Sequence, residues 1–385
     1  MVKRVVVLGL AGQYPLAGMA WQVVHHLVGL RRLGFEPFYV ENSGAPPYSP
    51  SAEGLATDAH ANVRFLRDVF RRFDLAESWS YLDCLSGRWF GRARTEVQDW
   101  LEHADVILNL CGASGPDVLP RRKGCLVYLE TDPVREQMKL ARGDARARSF
   151  VEAHDVHFTY GWNLGTPSCP VPTGGIAWRK THPPVVVDLW DAPPPRPRAA
   201  WRSIATYRNA GKDVEIDGRT YRWSKHPSFE RIMSLPGDTR ERLELALGAA
   251  DGDTRRRFVE HGWSIVAATS ISRGTSSYQR FVRGAKGEFS VEKEDQVLLC
   301  TGWFSDRSVC FLAAGRPCVL EDTGFGARVP TGEGLLGWRT REEARDALER
   351  VARDLPRHAR RAREIAREHF EASVLLPPLL AAAGL

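Results

Sequence analysis

The sequence predicts an α/β protein made of two βα units, and three observations carry that prediction. Short apolar runs alternate with helical periodicities through both halves of the 385-residue chain. Each run ends in a Gly-bearing or polar turn, and a proline-stiffened stretch separates the halves. A chain of this length exceeds one comfortable core, so two domains are expected.

The elements follow in order. Val5-Val6-Val7-Leu8 has the composition of a buried strand and stops at Gly9. The loop Gly12-Gln13-Tyr14-Pro15-Leu16-Ala17-Gly18 leads into a helix over residues 19–33. Val23, Val24, Leu27 and Leu30 share one face of it, and Gly34 ends it. Further strands are expected at 35–40, 106–110, 126–129 and 156–159. The last three run into Cys111-Gly112-Ala113-Ser114-Gly115, Glu130-Thr131-Asp132-Pro133 and Tyr160-Gly161-Trp162-Asn163. Strands that alternate with helices form a parallel sheet whose turns gather at its carboxyl edge. Pro183, Pro184, Pro193, Pro194, Pro195 and Pro197 stiffen the connection between the halves. The second half repeats the theme with strands expected at 203–206, 264–267, 297–300 and 318–320. Asp217-Gly218 marks a tight turn, Thr340 with Glu343 a capping box, and Pro356 the start of a basic helix. The expected division is 1–188, 189–365 and a tail, 366–385, whose apolar helix packs back on the first domain.

Composition narrows the function classes. With 43% apolar and 26% charged residues the chain is an ordinary soluble globular protein. A net charge of +6 is mild and argues against nucleic acid as the partner. Seven cysteines without a Cys-x-x-Cys pair imply reduced, packed thiols and no zinc site. The amino terminus enters a strand directly, so no signal peptide is expected, and no apolar run approaches the ~20 residues of a membrane span. A cytoplasmic protein is the expectation.

The segment from Thr301 to Gly324 carries the chemistry. Ser305 or Asp306 caps a helix whose first turn holds Arg307 and Ser308; Gly315 ends it, Pro317 starts a strand, and Glu321-Asp322-Thr323-Gly324 forms the next turn. Free amides, hydroxyls and an arginine at a helix N-terminus suit an anion, so a phosphorylated ligand is expected. A nicotinamide-binding Gly-x-Gly-x-x-Gly is absent, because Ala11 and Tyr14 follow Gly9 at those positions.

The runs Gly-Trp-Phe-Ser-Asp-Arg-Ser at 302–308, Phe-Leu-Ala-Ala-Gly-Arg-Pro at 311–317, Glu-Asp-Thr-Gly-Phe at 321–325 and Gly332-Glu333-Gly334 resemble the donor domain of GT-B nucleotide-sugar glycosyltransferases. Pro15-Leu16-Ala17-Gly18, the long first helix and Leu33-Gly34 agree more loosely. The resemblance implies two Rossmann-like domains facing a cleft, with the acceptor in the first, the donor in the second and a C-terminal helix crossing back. It implies metal-independent hexosyl transfer from a nucleotide-diphosphate sugar such as a UDP-sugar, with no further cofactor, to a hydroxyl of a small molecule or glycan. One departure stands out: the glutamate pair of many retaining members falls on Gly302 and Cys310, so the stretch looks more like inverting members, whose phosphate-binding hydroxyl lies near Ser308. A sugar-nucleotide epimerase and a glycosyltransferase acting on nucleic acid are the alternatives on the same fold.

Site candidates follow from this. Ser305, Asp306, Arg307 and Ser308 are placed at the leaving diphosphate, and Asp322, Thr323 and Gly324 at the sugar. Glu288, Lys293, Arg208 and Lys225 lie where the family's donor passes, as does Lys212. Asp132, Glu130 and Tyr14 are the candidates for the catalytic base, with Gln13 and Gly18 at the acceptor. Each has a plain alternative: Ser305 and Asp306 as caps, Arg307 in an ion pair, Asp322 and Asp132 as turn residues, and Glu288 on a solvated helix. His25 and His26 are expected in helix packing and His182 in the linker.

Overall fold

The computed structural model describes residues 2–52, 54–116, 119–120 and 122–385. The first half contributes β1 (Arg4–Leu8), β2 (Glu36–Glu41), the small hairpin β3 (Tyr48–Ser49) and β4 (Gly54–Leu55), β5 (Trp79–Asp83), β6 (Arg88–Gly91), β7 (Val106–Leu110), β8 (Cys125–Glu130), β9 (Val156–Thr159) and β10 (Arg179–Lys180). Eight of these form one sheet in the order β10-β9-β8-β7-β1-β2-β5-β6, parallel except where β6 returns against β5. Its central strand is fully buried from Val5 to Leu8, the continuous apolar run that a sheet covered on both faces requires.

The second half contributes β11 (Trp201–Thr206), the hairpin β12 (Val214–Ile216) and β13 (Arg219–Tyr221), β14 (Leu243–Gly248), β15 (Ser264–Ala267), β16 (Glu288–Ser290), β17 (Cys318–Glu321) and β18 (Leu335–Trp338). Its sheet runs β15-β14-β11-β16-β17-β18, parallel throughout. The chain builds outward from β11 to β14 and β15, then crosses to β16. The switch point between β11 and β16 opens a crevice at the carboxyl edge.

One expected strand is overturned. Residues 297–300 are not a strand: the helix Glu294–Leu298 occupies the segment, and the strand is β16, just upstream. Glu294 and Asp295 in the first turn favour a helix start. Cys300 has a φ of 47°, outside the strand region. Glu288 likewise lies in a buried strand rather than on a solvated helix.

The two halves share one apolar core, in which Trp21, Trp190, Phe304, Phe311 and Leu376 are all buried. The linker is stitched to the chain's end: the Val185 amide donates to the Phe370 carbonyl at 2.7 Å, and the Ala372 amide to the Val185 carbonyl at 2.8 Å. The final helix Ala372–Ala382 then lies on the first-domain helix Ala17–Arg32, with Gly29 at the crossing. A Cβ there would stand 2.7 Å from both Ala372 Cβ and Leu376 Cδ1. Gly29→Val is therefore expected to destabilise the protein by about 1–3 kcal/mol. A thermal melt checks this, and an unchanged midpoint would mean the terminal helix is not docked there in solution.

Candidate active site

Two cavities open between the domains. The smaller, about 440 Å³, lies between Leu16, Gly18 and Met19 at the start of the first helix and the ends of β11 and β14, with Ser305, Asp306 and Arg307 on its wall. The larger, about 790 Å³, is bounded by the ends of β7 and β8, by first-domain helices Arg135–Ala141 and Ala145–Glu152, and by Trp223, Lys293 and Trp303 of the second domain. Met19, Gln22 and Asp306 line both, so the cavities meet at these three side chains.

Asp306 opens the helix Asp306–Ala313, and Ser305 caps that helix by accepting from the Arg307 amide at 3.2 Å. Gln22 Nε2 donates to Asp306 Oδ2 at 3.2 Å across the domain boundary. The Gln22 side-chain oxygen Oε1 accepts from the Cys111 thiol at 3.6 Å, and that thiol sits 2.8 Å from the Thr131 hydroxyl. Burial pushes the Asp306 carboxyl up to about 6, within range of proton exchange near neutrality.

Arg307 and its expected companions form a different structure from the one the sequence suggested. Arg307 is turned into the second sheet, its side chain 11% exposed. Its Nε donates to Glu288; its two terminal nitrogens reach the Ile204 carbonyl at 3.1 Å, Ser290 Oγ at 2.7 Å and Glu292 at 3.2 Å. Lys225 completes the cluster, donating to Glu292 at 2.8 Å and to the Val291 carbonyl at 2.7 Å. Burial alone would lower the Arg307 pKa, but Glu288 and Glu292 reverse this and raise it; burial pushes Lys225 down to about 8. Arg307, Glu288 and Lys225 thus hold the switch point together, their charged groups paired within the cluster.

Ser308 is wholly buried, and its hydroxyl has no hydrogen-bond partner among the described residues. Asp322 closes a turn by accepting from the Gly324 amide at 2.7 Å and pairs with Arg339 at 2.8 Å; it lines neither cavity. Thr323 donates to the Trp303 carbonyl at 2.6 Å, and its own carbonyl accepts from Gly302 at 2.7 Å. Gly324 has a φ of +88°, and a Cβ there would lie 2.6 Å from Asn163 Nδ2. Asn163 of the first domain donates to the Cys300 and Gly324 carbonyls at 2.9 and 3.2 Å, so these residues fasten the turn before the helix. Arg208 is exposed beyond β11 and lines neither cavity.

In the first domain, Asp132 is clamped rather than poised. It accepts from Trp223 Nε1 at 2.6 Å and Lys293 at 2.7 Å, with Lys212 at 3.5 Å. Burial would raise its pKa, but Lys293 and Lys212 outweigh that and hold it below the usual carboxylate range. A carboxylate stabilised this way is a weak base and a strong bridge. Glu130 ends β8 with one oxygen accepting from Gln137 at 2.6 Å and Thr159 at 2.8 Å, while the other has no partner among the described residues. Burial pushes it up to about 7. Tyr14 lines the larger cavity, 5.9 Å from the Tyr48 ring, and Gly18 lines the smaller. Gln13 is buried, its amide donating to Glu41. His25, His26 and His182 are packed and uncharged, pushed by burial down to about 3, 4 and 3.

Sequence reasoning missed Gln22, Trp223, Trp303 and Glu41. Glu41 also accepts from the Gly12 amide at 2.7 Å and from the Tyr39 hydroxyl, and so fixes the first loop. A carboxylate directly after the apolar run of β2 was the available signal. Among the described residues no group of His, Cys, Asp and Glu converges as a metal site. Nor is any described helix long and apolar enough to cross a membrane.

No protein family and no curated protein matches the sequence. The fold is similar to that of solved structures over essentially the whole chain. AviGT4, a glycosyltransferase involved in avilamycin A biosynthesis, is 14% identical, covering 99% of this chain and 97% of its own, with a TM-score of 0.57. An α-glucosyltransferase in complex with UDP-glucose and DNA containing an abasic site is 10% identical, covering 100% and 99%, at 0.60. A putative UDP-N-acetylglucosamine 2-epimerase from Listeria monocytogenes is 12% identical, covering 99% and 96%, at 0.53. The architecture is GT-B, shared here with two glycosyltransferases and a putative epimerase.

Removing the Arg307 guanidinium leaves Glu288 and Glu292 without their shared partner. Arg307→Met is expected to cost about 3–5 kcal/mol in denaturant unfolding, with part recovered in Arg307→Met/Glu288→Gln. Full stability in Arg307→Met, with nucleotide affinity lost instead, would return Arg307 to the ligand.

Proposed function

We propose that this protein is a glycosyltransferase that moves a hexosyl group from a nucleoside-diphosphate sugar in the smaller cavity to a hydroxyl of a small molecule or glycan in the larger one. The observation that carries this reading is Asp306, the one carboxylate lining both cavities among the described residues. UDP-sugar chemistry is favoured by the likeness to a UDP-glucose complex.

The transfer follows from the placement. The acceptor oxygen attacks the anomeric carbon, and the bond from that carbon to the β-phosphate oxygen breaks. Asp306 takes the hydroxyl proton, and the electron pair leaves with the nucleoside diphosphate. A single displacement of this kind inverts the anomeric centre. Two helix N-termini, Ala17–Arg32 and Asp306–Ala313, flank the smaller cavity, and their first-turn amides that no side chain caps meet the charge that develops on the phosphates. Gly18 leaves space for a phosphate, since nothing lies within 4 Å of where its Cβ would be. Gln22 holds Asp306 in position. No cofactor beyond the donor enters this scheme, and a cytoplasmic site of action belongs to the same proposal. The epimerase reading uses the smaller cavity alone and leaves the larger without a role.

Isothermal titration with a panel of nucleoside diphosphates tests the donor claim. Binding with dissociation constants between about 1 µM and 1 mM is expected for UDP; absence of binding to every member overturns it. Asp306→Asn is expected to lower kcat by about 10²–10⁴-fold while UDP affinity is kept. A base acts only when ionised, and the Asp306 pKa is raised to about 6. The rate is therefore expected to fall as pH drops through 6 and to level off above 7. A limb at the ordinary carboxylate value, or one that survives in Asp306→Asn, assigns the base elsewhere.

A further inference from the structure

We propose that the larger cavity takes an anionic acceptor: a small hydroxylated molecule with a flat apolar body that carries a carboxylate or phosphate. This rests on the glycosyltransferase reading and goes beyond it to the substrate class.

The cavity wall carries five cations, Arg135, Lys139, Arg146, Lys212 and Lys293, and four carboxylates, Glu130, Asp132, Glu136 and Asp306. Lys293 and Lys212 are matched by Asp132, and Lys139 by Glu136 at 2.6 Å. Arg135 and Arg146, on neighbouring helices, also line the cavity, and their guanidinium groups have no ion pair or hydrogen bond among the described residues. These two guanidinium groups therefore stand on the wall without a direct partner. The fork of a guanidinium matches a carboxylate or phosphate in two parallel hydrogen bonds, and a partly dry wall strengthens the pairing.

The rest of the wall sets the shape of the body. Tyr128, Phe150, Trp223 and Trp303 contribute aromatic rings. Trp223 is held by Asp132, and the ammonium groups of Lys212 and Lys293 stand over its ring at 4.3 and 4.2 Å, so its position in the wall is fixed. The β12–β13 hairpin straps this side: Arg142 donates to the Glu215 carbonyl at 2.6 Å, and Val214 packs with Val134 and Met138. A volume of about 790 Å³ suits a small molecule. Glu130 also lines the cavity, 2% exposed, with one oxygen unpartnered among the described residues.

The test is titration of UDP-loaded protein with 4-hydroxyphenylacetate and with its methyl ester, which differ in the charge. The acid is expected to bind at least about tenfold more tightly. The gap is expected to narrow as salt is raised and to vanish in Arg135→Gln/Arg146→Gln, a variant that keeps wild-type UDP affinity. Equal binding of acid and ester, binding of neither by a protein that still binds UDP, or a gap that survives in the double variant overturns the proposal. So does a short DNA duplex that displaces the acid, which would assign the arginines to a nucleic-acid backbone. Failure of UDP itself to bind the wild-type protein would instead remove the transferase reading, and the two failures are separately visible.

Discussion

The cleft depends on a guanidinium held between two carboxylates. Arg307, Glu288, Glu292 and Lys225 form a compact charge cluster behind the switch point of the second sheet. Glu321 extends it, accepting from the Glu292 amide at 2.9 Å and from Ser228 at 2.9 Å. Such a cluster is stable only when complete, because each charge removed from water needs its partner. It therefore fixes one position for the helix Asp306–Ala313. Successive helical side chains project about 100° apart, so anchoring Arg307 in the sheet turns its neighbour Asp306 out to the cleft.

The domains are set against each other by polar contacts around that same helix. Asn163 of the first domain holds the turn before it, Gln22 holds Asp306, and Asp132 grips Trp223 and Lys293 from the opposite wall. Beneath these lies an apolar core common to both domains, closed by the terminal helix. The two cavities are thus placed by shared packing rather than by either domain alone. Closure of the larger one depends on a hairpin that belongs to the second domain and packs on the first.

Much of the fold was legible in the sequence because its signals are local. The alternation of apolar runs with helices gave parallel sheets in both halves. Asp217-Gly218 gave the β12–β13 turn, and Thr340 with Glu343 gave a capping box that the structure shows. Residues 297–300 misled because a four-residue apolar run looks the same in a strand and at the end of a short helix. The site was legible to a smaller depth. Arg307 in the first turn of a helix has the pattern of an anion ligand. Whether its long side chain bends to solvent or back to the sheet depends on Glu288 and Glu292, 19 and 15 residues away. Asp132 looked like a base because its clamp comes from Trp223 and Lys293, 91 and 161 residues on. The meeting of Gln22 with Asp306 spans 284 residues and has no sequence signature.

The central claim is spatial: the donor lies in the smaller cavity, with its reacting carbon facing Asp306. A crystal structure with a non-hydrolysable UDP-sugar tests it most directly. The account predicts the diphosphate between the amides at Gly18 and Asp306, and the anomeric carbon at the junction of the two cavities within reach of the Asp306 carboxylate. A diphosphate bound at Asp322–Gly324, or lying among Arg135 and Arg146 in the larger cavity, would contradict it.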